Sequence, residues 1–253
     1  MRLTVIGCSG SYPGPESPAS SYLVEAHDGD RTWRILLDLG SGALGRLQEF
    51  ADPLSIDAVF VSHLHPDHFF DISGYYVLRK YNPSGTPPRI PVYGPSGIAR
   101  RTAQAYGLSE NPGMTEEFDF VEYDGRTAVD VGPLTVEVRR VLHPIDTYAM
   151  RVSSSGRSLV YSGDTAPCDA LVDLARDTDL LIAEASFREG EDNPPDLHMT
   201  GKEAAETAVR AGAGRLVLTH IPPWYDPKAA LEEARPVFEG PLELARCGAT
   251  YDL

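Results

Sequence analysis

Three imidazoles and a carboxylate fall within six residues in His63-Leu64-His65-Pro66-Asp67-His68, directly after the apolar run Ala58-Val59-Phe60-Val61. The whole chain carries seven histidines, so three in one loop is not what a solvated surface turn would hold. Imidazole nitrogen and carboxylate oxygen are the donors that bind zinc, manganese and iron. A single catalytic zinc keeps three protein ligands and one open position. Four donors are better used by two ions about 3.5–4 Å apart, and the remaining ligands must then come from elsewhere.

Other apolar runs deliver polar residues in the same way. His143 follows a strand expected at 134–141, Asp164 one at 158–161, and His220 one at 215–219, while Glu184 closes 180–183. Residues at strand ends of a layered α/β fold share one rim. A two-metal site can be assembled from them: His63, His65 and His143 on one ion, Asp67, His68 and His220 on the other, Asp164 bridging. Water shared by two such ions would ionise near neutral pH and attack as a nucleophile, with Asp67 also placed to hydrogen-bond it. Two divalent ions are the expected cofactors; zinc suits imidazole best, and manganese or iron also fit the ligand types.

Glu184 and His198 remain. His198, just ahead of Thr200-Gly201-Lys202-Glu203, would protonate a leaving oxygen, and Glu184 would orient it and fix its tautomer. The plainer alternatives are a surface histidine flanking a helix and a buried carboxylate paired with an arginine. The fuller scheme places six of the seven histidines in one site.

The elements that must position these groups alternate along the chain. Strands are expected at 3–6, 20–25, 32–38, 58–61, 90–93, 118–123, 127–131, 134–141, 148–153, 158–161, 180–183, 215–219 and 242–247. Helices are expected at 43–50, with Leu44, Leu47 and Phe50 on one face, and at 72–81, 97–106 and 168–176. Thr200 and Glu203 form a capping box for a helix ending at Gly212, and Asp226-Pro227 starts another. The Gly/Ser-rich 7–15 loop would either present amides to an anion or serve as a plain turn; it lacks a P-loop lysine. The polar, proline-bearing 187–198 segment would need a ligand or a partner subunit to hold it. Tyr12, Tyr75, Tyr76, Trp224 and Tyr225 are stacking or pocket-wall candidates, although core or dimer surface is the plainer expectation for each. Two sheets sandwiched between helices in one domain, 1–253, would satisfy both periodicities.

Composition narrows the partners. Hydrophobic residues make up 42% of the chain and charged residues 23%, as in ordinary globular proteins. The absence of an 18-residue apolar run argues against a membrane span, and the 1–7 stretch reads as a strand, not a secretory leader. Three widely spaced cysteines suggest a reducing, cytoplasmic compartment without disulfides. A formal charge of −15 argues against DNA or a large RNA, which want a basic surface. A small anion held at the metals remains compatible, because the local field decides that.

The ordered set His63-Leu64-His65-Pro66-Asp67-His68, His143, Asp164 and His220 resembles the metallo-β-lactamase superfamily. The resemblance implies an αββα sandwich, two mixed sheets flanked by helices, with a binuclear metal site. Asp164, the Leu181-Ile182-Ala183-Glu184-Ala185-Ser186-Phe187 stretch and His198-Met199-Thr200 look like the ribonuclease Z and phosphodiesterase branch. There the glutamate and histidine matching Glu184 and His198 assist protonation of the leaving oxygen. The long basic, Gly-rich arm that clamps transfer RNA in that branch has no counterpart between His143 and Asp164, where only Arg151 and Arg157 are basic. Gly7-Cys8-Ser9-Gly10-Ser11, Asp38-Leu39-Gly40-Ser41-Gly42 and Arg89-Ile90-Pro91-Val92-Tyr93-Gly94-Pro95 resemble an actinobacterial group that includes an atypical cyclic-AMP phosphodiesterase of mycobacteria. The resemblance implies hydrolysis of a small anionic phosphodiester, a 3′,5′-cyclic nucleotide, by a homodimer. A ribonuclease Z-like endonuclease and a lactone- or β-lactam-opening hydrolase are the competing expectations.

Overall fold

The structure is a computed structural model that describes residues 1–123 and 128–253. Thr127, expected to open a strand, lies outside them. The first sheet contains β1 (Arg2–Gly7), β2 (Ser21–Asp28), β3 (Arg31–Leu37), β4 (Ala58–Phe60), β5 (Ile90–Gly94), β6 (Phe118–Glu122) and β14 (Thr250–Asp252), in the order β14-β1-β2-β3-β4-β5-β6. The second contains β7 (Ala128–Val131), β8 (Leu134–Arg140), β9 (Tyr148–Ser154), β10 (Arg157–Tyr161), β11 (Leu180–Glu184), β12 (Leu216–Thr219) and β13 (Leu242–Leu244), in the order β13-β12-β11-β10-β9-β8-β7. Each sheet is antiparallel in one half and parallel in the other: β3 to β6 and β10 to β13 run parallel. The helices are α1 (Ala43–Leu47), α2 (Pro66–Phe69), α3 (Ile72–Lys80), α4 (Ile98–Tyr106), α5 (Asp169–Leu174), α6 (Gly201–Ala211) and α7 (Pro227–Ala234).

Both faces of each sheet are covered, and for that reason the central strands read as continuous apolar runs. Ile35 and Leu37 of β3 meet Leu159 and Tyr161 of β10 and Ile182 of β11 in the core between the sheets. The alternate residue Leu36 joins Leu47, Ile72, Tyr75 and Ile98 on the outer face of the first sheet. Likewise Leu181, Ala183, Leu216 and Leu218 pack on Ala204, Ala208 and Ala234 outside the second. The result is the expected helix–sheet–sheet–helix sandwich.

Several local readings hold and others change. Thr200 and Glu203 form the reciprocal capping box, Gly212 closes α6 in a left-handed conformation, and the Asp226 carboxylate caps α7 with Pro227 in its first turn. The first helix is shorter than expected: it ends at Leu47, and Phe50 lies outside it, partly exposed. The C-terminal strand expected at 242–247 is shorter, β13 ending at Leu244, and a further strand that was not expected, β14, follows where the chain crosses to the first sheet and pairs with β1. α2 was not expected; Pro66 opens it as a single turn inside the histidine loop.

The 38–40 turn is laced to that loop. Leu39 N–H donates to His68 O at 2.8 Å, and Asp71 N–H donates to Leu39 O at 3.2 Å. A β-carbon on Gly40 would stand 1.9 Å from Asp67 O and 3.0 Å from Ser20 O. Gly40→Ala should therefore push the turn off α2, destabilising the fold by about 1–3 kcal/mol and weakening zinc binding. Thermal unfolding with and without zinc checks both effects; an unchanged melting temperature would contradict the packing.

Candidate metal centre

All the groups expected at one rim arrive there. His63 and His65 follow β4, Asp67 and His68 sit on α2, His143 follows β8, Asp164 follows β10 and His220 follows β12. The parallel strands β4, β10, β11 and β12 end on the same edge of the sandwich, where ligands of α/β sheets gather.

Two groups of side chains that could hold a metal ion result, His63, His65, His143 and Asp164, and Asp67, His68, Asp164 and His220. In the first, His63 Nε2 and His143 Nε2 lie 3.0 and 3.4 Å from His65 Nδ1, and His63 Nε2 is 3.5 Å from Asp164 Oδ2. In the second, His68 Nε2 and His220 Nε2 are 3.1 Å apart, and Asp67 Oδ2 is 3.4 and 3.1 Å from them. Asp164 Oδ1 is 3.3 and 3.4 Å from the same two nitrogens. Asp164 thus turns one oxygen to each group.

The hydrogen bonds behind the rings fix which nitrogens face inward. His68 Nδ1–H donates to Asp38 Oδ2 at 2.7 Å and His143 Nδ1–H to Leu197 O at 2.9 Å. The Ser62 hydroxyl spends its proton on Asp38 Oδ2, so at 3.0 Å it accepts from His63 Nδ1–H. The Ser186 hydroxyl spends its proton on His220 O and at 2.9 Å accepts from His220 Nδ1–H. In neutral imidazoles this leaves the Nε2 lone pairs of His63, His68, His143 and His220 pointing at one another. Asp164 Oδ1, inside the same ring of nitrogens, is buried and makes no hydrogen bond. Lone pairs and an unpartnered carboxylate oxygen packed at such distances repel unless positive charge lies among them. The donor set therefore fits a pair of divalent cations, with the outer partners that metal-binding histidines use.

Charge separates the two groups. Burial and the neighbouring imidazoles push the His63 pKa well below its ordinary value. Burial also opposes charge on His68, but Asp164, Asp67 and Asp38 outweigh it and raise that pKa. The second group carries two carboxylates, Asp67 and Asp164, where the first has Asp164 alone.

Glu184 and His198 form the adjoining pair. His198 Nδ1–H donates to Glu184 Oε1 at 2.8 Å, which leaves Nε2 free. Glu184 Oε1 also accepts from Thr165 N–H at 2.8 Å, and Oε2 accepts from Ser186 N–H at 3.2 Å and Met199 N–H at 3.4 Å. With His220 these two residues make a third grouping of ligand atoms, but the carboxylate is already saturated by donors. Burial works against an imidazolium at His198; Glu184 and Asp164 outweigh it and raise the pKa to about 9. The expected alternatives do not occur, since His198 is mostly buried and Glu184 contacts no arginine among the described residues.

The 187–198 segment needs no partner subunit to order it. Glu233 of α7 accepts from Glu189 N–H and Gly201 N–H, each at 3.0 Å, and so pins both ends. Tyr75 and Tyr76 are core residues, not pocket walls, whereas Tyr12 and Trp224 are exposed and pack together at 5.3 Å. In the 7–15 loop Cys8, Ser9, Gly10, Tyr12 and Gly14 donate their amides within the chain, which favours the plain turn.

Asp38 is the functional residue that sequence reasoning passed over. Fully buried, it accepts from Ser62 N–H, Ser62 Oγ–H, His68 Nδ1–H and Tyr161 Oη–H. Its place at the end of an apolar strand was the available signal. Ser62, Ser186, Glu233 and the Leu197 carbonyl gave none.

A profile of the family described as "Beta-lactamase superfamily domain" matches residues 33–221. The chain belongs to the metallo-β-lactamase superfamily, and within it is related to the ribonuclease Z branch. It is 42% identical over 257 residues to the uncharacterized protein Rv1339 of Mycobacterium tuberculosis, covering 100% of this chain and 92% of the relative. It is 30% identical to the probable metallo-hydrolase YhfI of Bacillus subtilis over the full length of both. The crystal structure of YhfI superposes with a TM-score of 0.85 at 29% identity, covering 99% of each chain. Ribonuclease Z of Myxococcus xanthus is 32% identical, with 100% of this chain and 98% of that protein covered.

Asp38→Asn would keep the shape of the side chain but remove the charge that orients His68. Zinc affinity, read by competition with a chromogenic chelator, should fall about 10–100-fold. Wild-type affinity in that variant would show that Asp38 serves the fold alone.

Proposed function

We propose that the protein is a binuclear metallohydrolase that cleaves a small cyclic phosphodiester, 3′,5′-cyclic AMP foremost, to the 5′-monophosphate. His63, His65 and His143 would hold one ion, Asp67, His68 and His220 the other, and Asp164 both; zinc suits them best, with manganese or iron as alternatives. When bound, such ions supply Lewis acidity that neutralises phosphoryl charge and acidifies water.

The observation that carries the phosphodiester reading is the His198–Glu184 pair beside the two groups. Its Nδ1–H is tied to Glu184, so His198 would present Nε2 as the acid and give that proton to the departing 3′ oxygen. Glu184 favours the charged form until the proton is transferred. Asp67, next to His220 and His68, would accept a hydrogen bond from the attacking water. An alkoxide leaving group needs such an acid; opening a lactone or β-lactam gives the pair a less defined task.

The ribonuclease Z relatives favour a second reading, an RNA endonuclease with the same residues in the same roles. Against it stand the charge of −15 and the short β9–β10 hairpin that fills most of the interval between His143 and Asp164. Both observations support a small substrate over transfer RNA. The reading includes a homodimer in the cytoplasm, and three free cysteines fit a reducing compartment.

Zinc-loaded protein assayed on cyclic nucleotides, precursor transfer RNA and lactones separates the readings. Cleavage of cyclic AMP is expected; lactone opening with no diester cleaved would overturn the proposal. His198→Ala should lower kcat about 10²–10⁴-fold with metal content unchanged, and loss of both ions would make His198 a ligand instead. The acid works only while protonated, so activity falls as pH rises through its pKa. Glu184→Gln removes the charge that raises this pKa, so the alkaline limb of the pH–kcat profile should move to lower pH.

A further inference from the structure

A cavity of about 670 Å³ opens beside the metal centre, lined by Leu64, His65, Pro95, Ser96, Gly97, Arg100, Arg101, Gln104, Ile145 and Asp146. This is within the range of small-molecule sites. His65 belongs both to this lining and to the first group of metal donors, so a ligand could occupy both at once. Ile145 and Asp146 come two and three residues after His143, which ties this part of the lining to the same group.

The polar groups on the walls are of mixed sign. Arg100, Arg101 and Gln104 stand exposed on one stretch of α4. Among the described residues neither guanidinium makes an ion pair, although the chain has 37 acidic residues for 22 basic ones. Most other cations are paired, as Arg89 is with Asp119 and Arg157 with Asp179. The Arg100 guanidinium lies back across Gly97, 3.3 Å from where a β-carbon would stand there. Asp146, also in the lining, is held by Arg140 and keeps its side chain 46% exposed. Leu64, Pro95 and Ile145 supply apolar surface between them.

This combination decides what the cavity suits. Two guanidiniums alone would call for a second phosphate. The Asp146 carboxylate in the lining, paired with Arg140, is an acceptor that a phosphate cannot use, and the apolar residues offer it nothing. A nucleobase uses all of them: its faces stack on guanidinium planes and aliphatic surface, its ring nitrogens accept from Arg and Gln, and its exocyclic amine donates to a carboxylate. We propose that this cavity is the base-binding subsite of the enzyme, with Arg101 stacking on a purine, Gln104 reading its edge and Asp146 accepting from a 6-amino group. The proposal rests on the phosphodiesterase reading and names what that reading leaves open, the residues that select the base.

Zinc-loaded wild type, Arg101→Ala, Gln104→Ala and Asp146→Asn are to be assayed with 3′,5′-cyclic AMP, 3′,5′-cyclic IMP, which replaces the 6-amino group by oxygen, and methyl 4-nitrophenyl phosphate, which has no base. The ratio of kcat/KM for cyclic AMP over the baseless diester should fall about tenfold in Arg101→Ala and Gln104→Ala, through KM. Asp146→Asn should narrow the preference for cyclic AMP over cyclic IMP. Ratios equal to wild type in all three variants would overturn the assignment. Wild type that cleaves no diester would instead sink the phosphodiesterase reading. In that case calorimetric binding of adenosine 5′-monophosphate to the zinc-loaded protein still decides the subsite: about tenfold weakening in Arg101→Ala supports it, and unchanged binding overturns it.

Discussion

Four imidazole nitrogens are made to point at one another by hydrogen bonds that lie behind them. Each outer partner, Asp38, Ser62, Ser186 or the Leu197 carbonyl, takes the Nδ1 proton and so turns an Nε2 lone pair inward. Alone, that arrangement is repulsive, and the buried Asp164 carboxylate adds to it. Stability requires positive charge in the middle, and a pair of divalent cations fits that requirement.

The sandwich makes the convergence possible. Each sheet carries a parallel half, and parallel strands release their C-terminal residues on one edge. His63, Asp164, Glu184 and His220 arrive together for that reason, although they lie far apart in sequence. Two further constraints sharpen the site. Turn 38–40 is bonded to the backbone of 67–71, so Asp38 and His68 move as one. Glu233 holds both ends of the segment that brings in His198. Most of the candidate metal donors and His198 thus rest on loops and short turns whose ends are fixed by polar bonds rather than on long rigid elements.

Much of this was legible in the chain. The histidine cluster, the strand-end polar residues and the capping box at Thr200 each carry a local signal, because donor type, burial and period are written in neighbouring residues. The groups that act across the fold carry none. Ser62 and Ser186 matter only because a ring from another segment meets their hydroxyls, and the Leu197 carbonyl has no side-chain identity at all. Asp38 obeys the strand-end rule, but Gly40 and Gly42 just after it make the stretch look like a plain turn. The expectation that 187–198 needs a partner failed for a related reason: a polar, proline-bearing stretch looks unsupported until α7 is folded beside it. β14 was missed because a three-residue strand is defined by its pairing with β1 and not by its own composition.

The most direct test is anomalous diffraction at the zinc edge from crystals of the zinc-loaded protein. Two peaks about 3.5–4 Å apart, one beside His63, His65 and His143, the other beside Asp67, His68 and His220, with Asp164 between them, are predicted. A single peak, or none within reach of these side chains, would contradict the account.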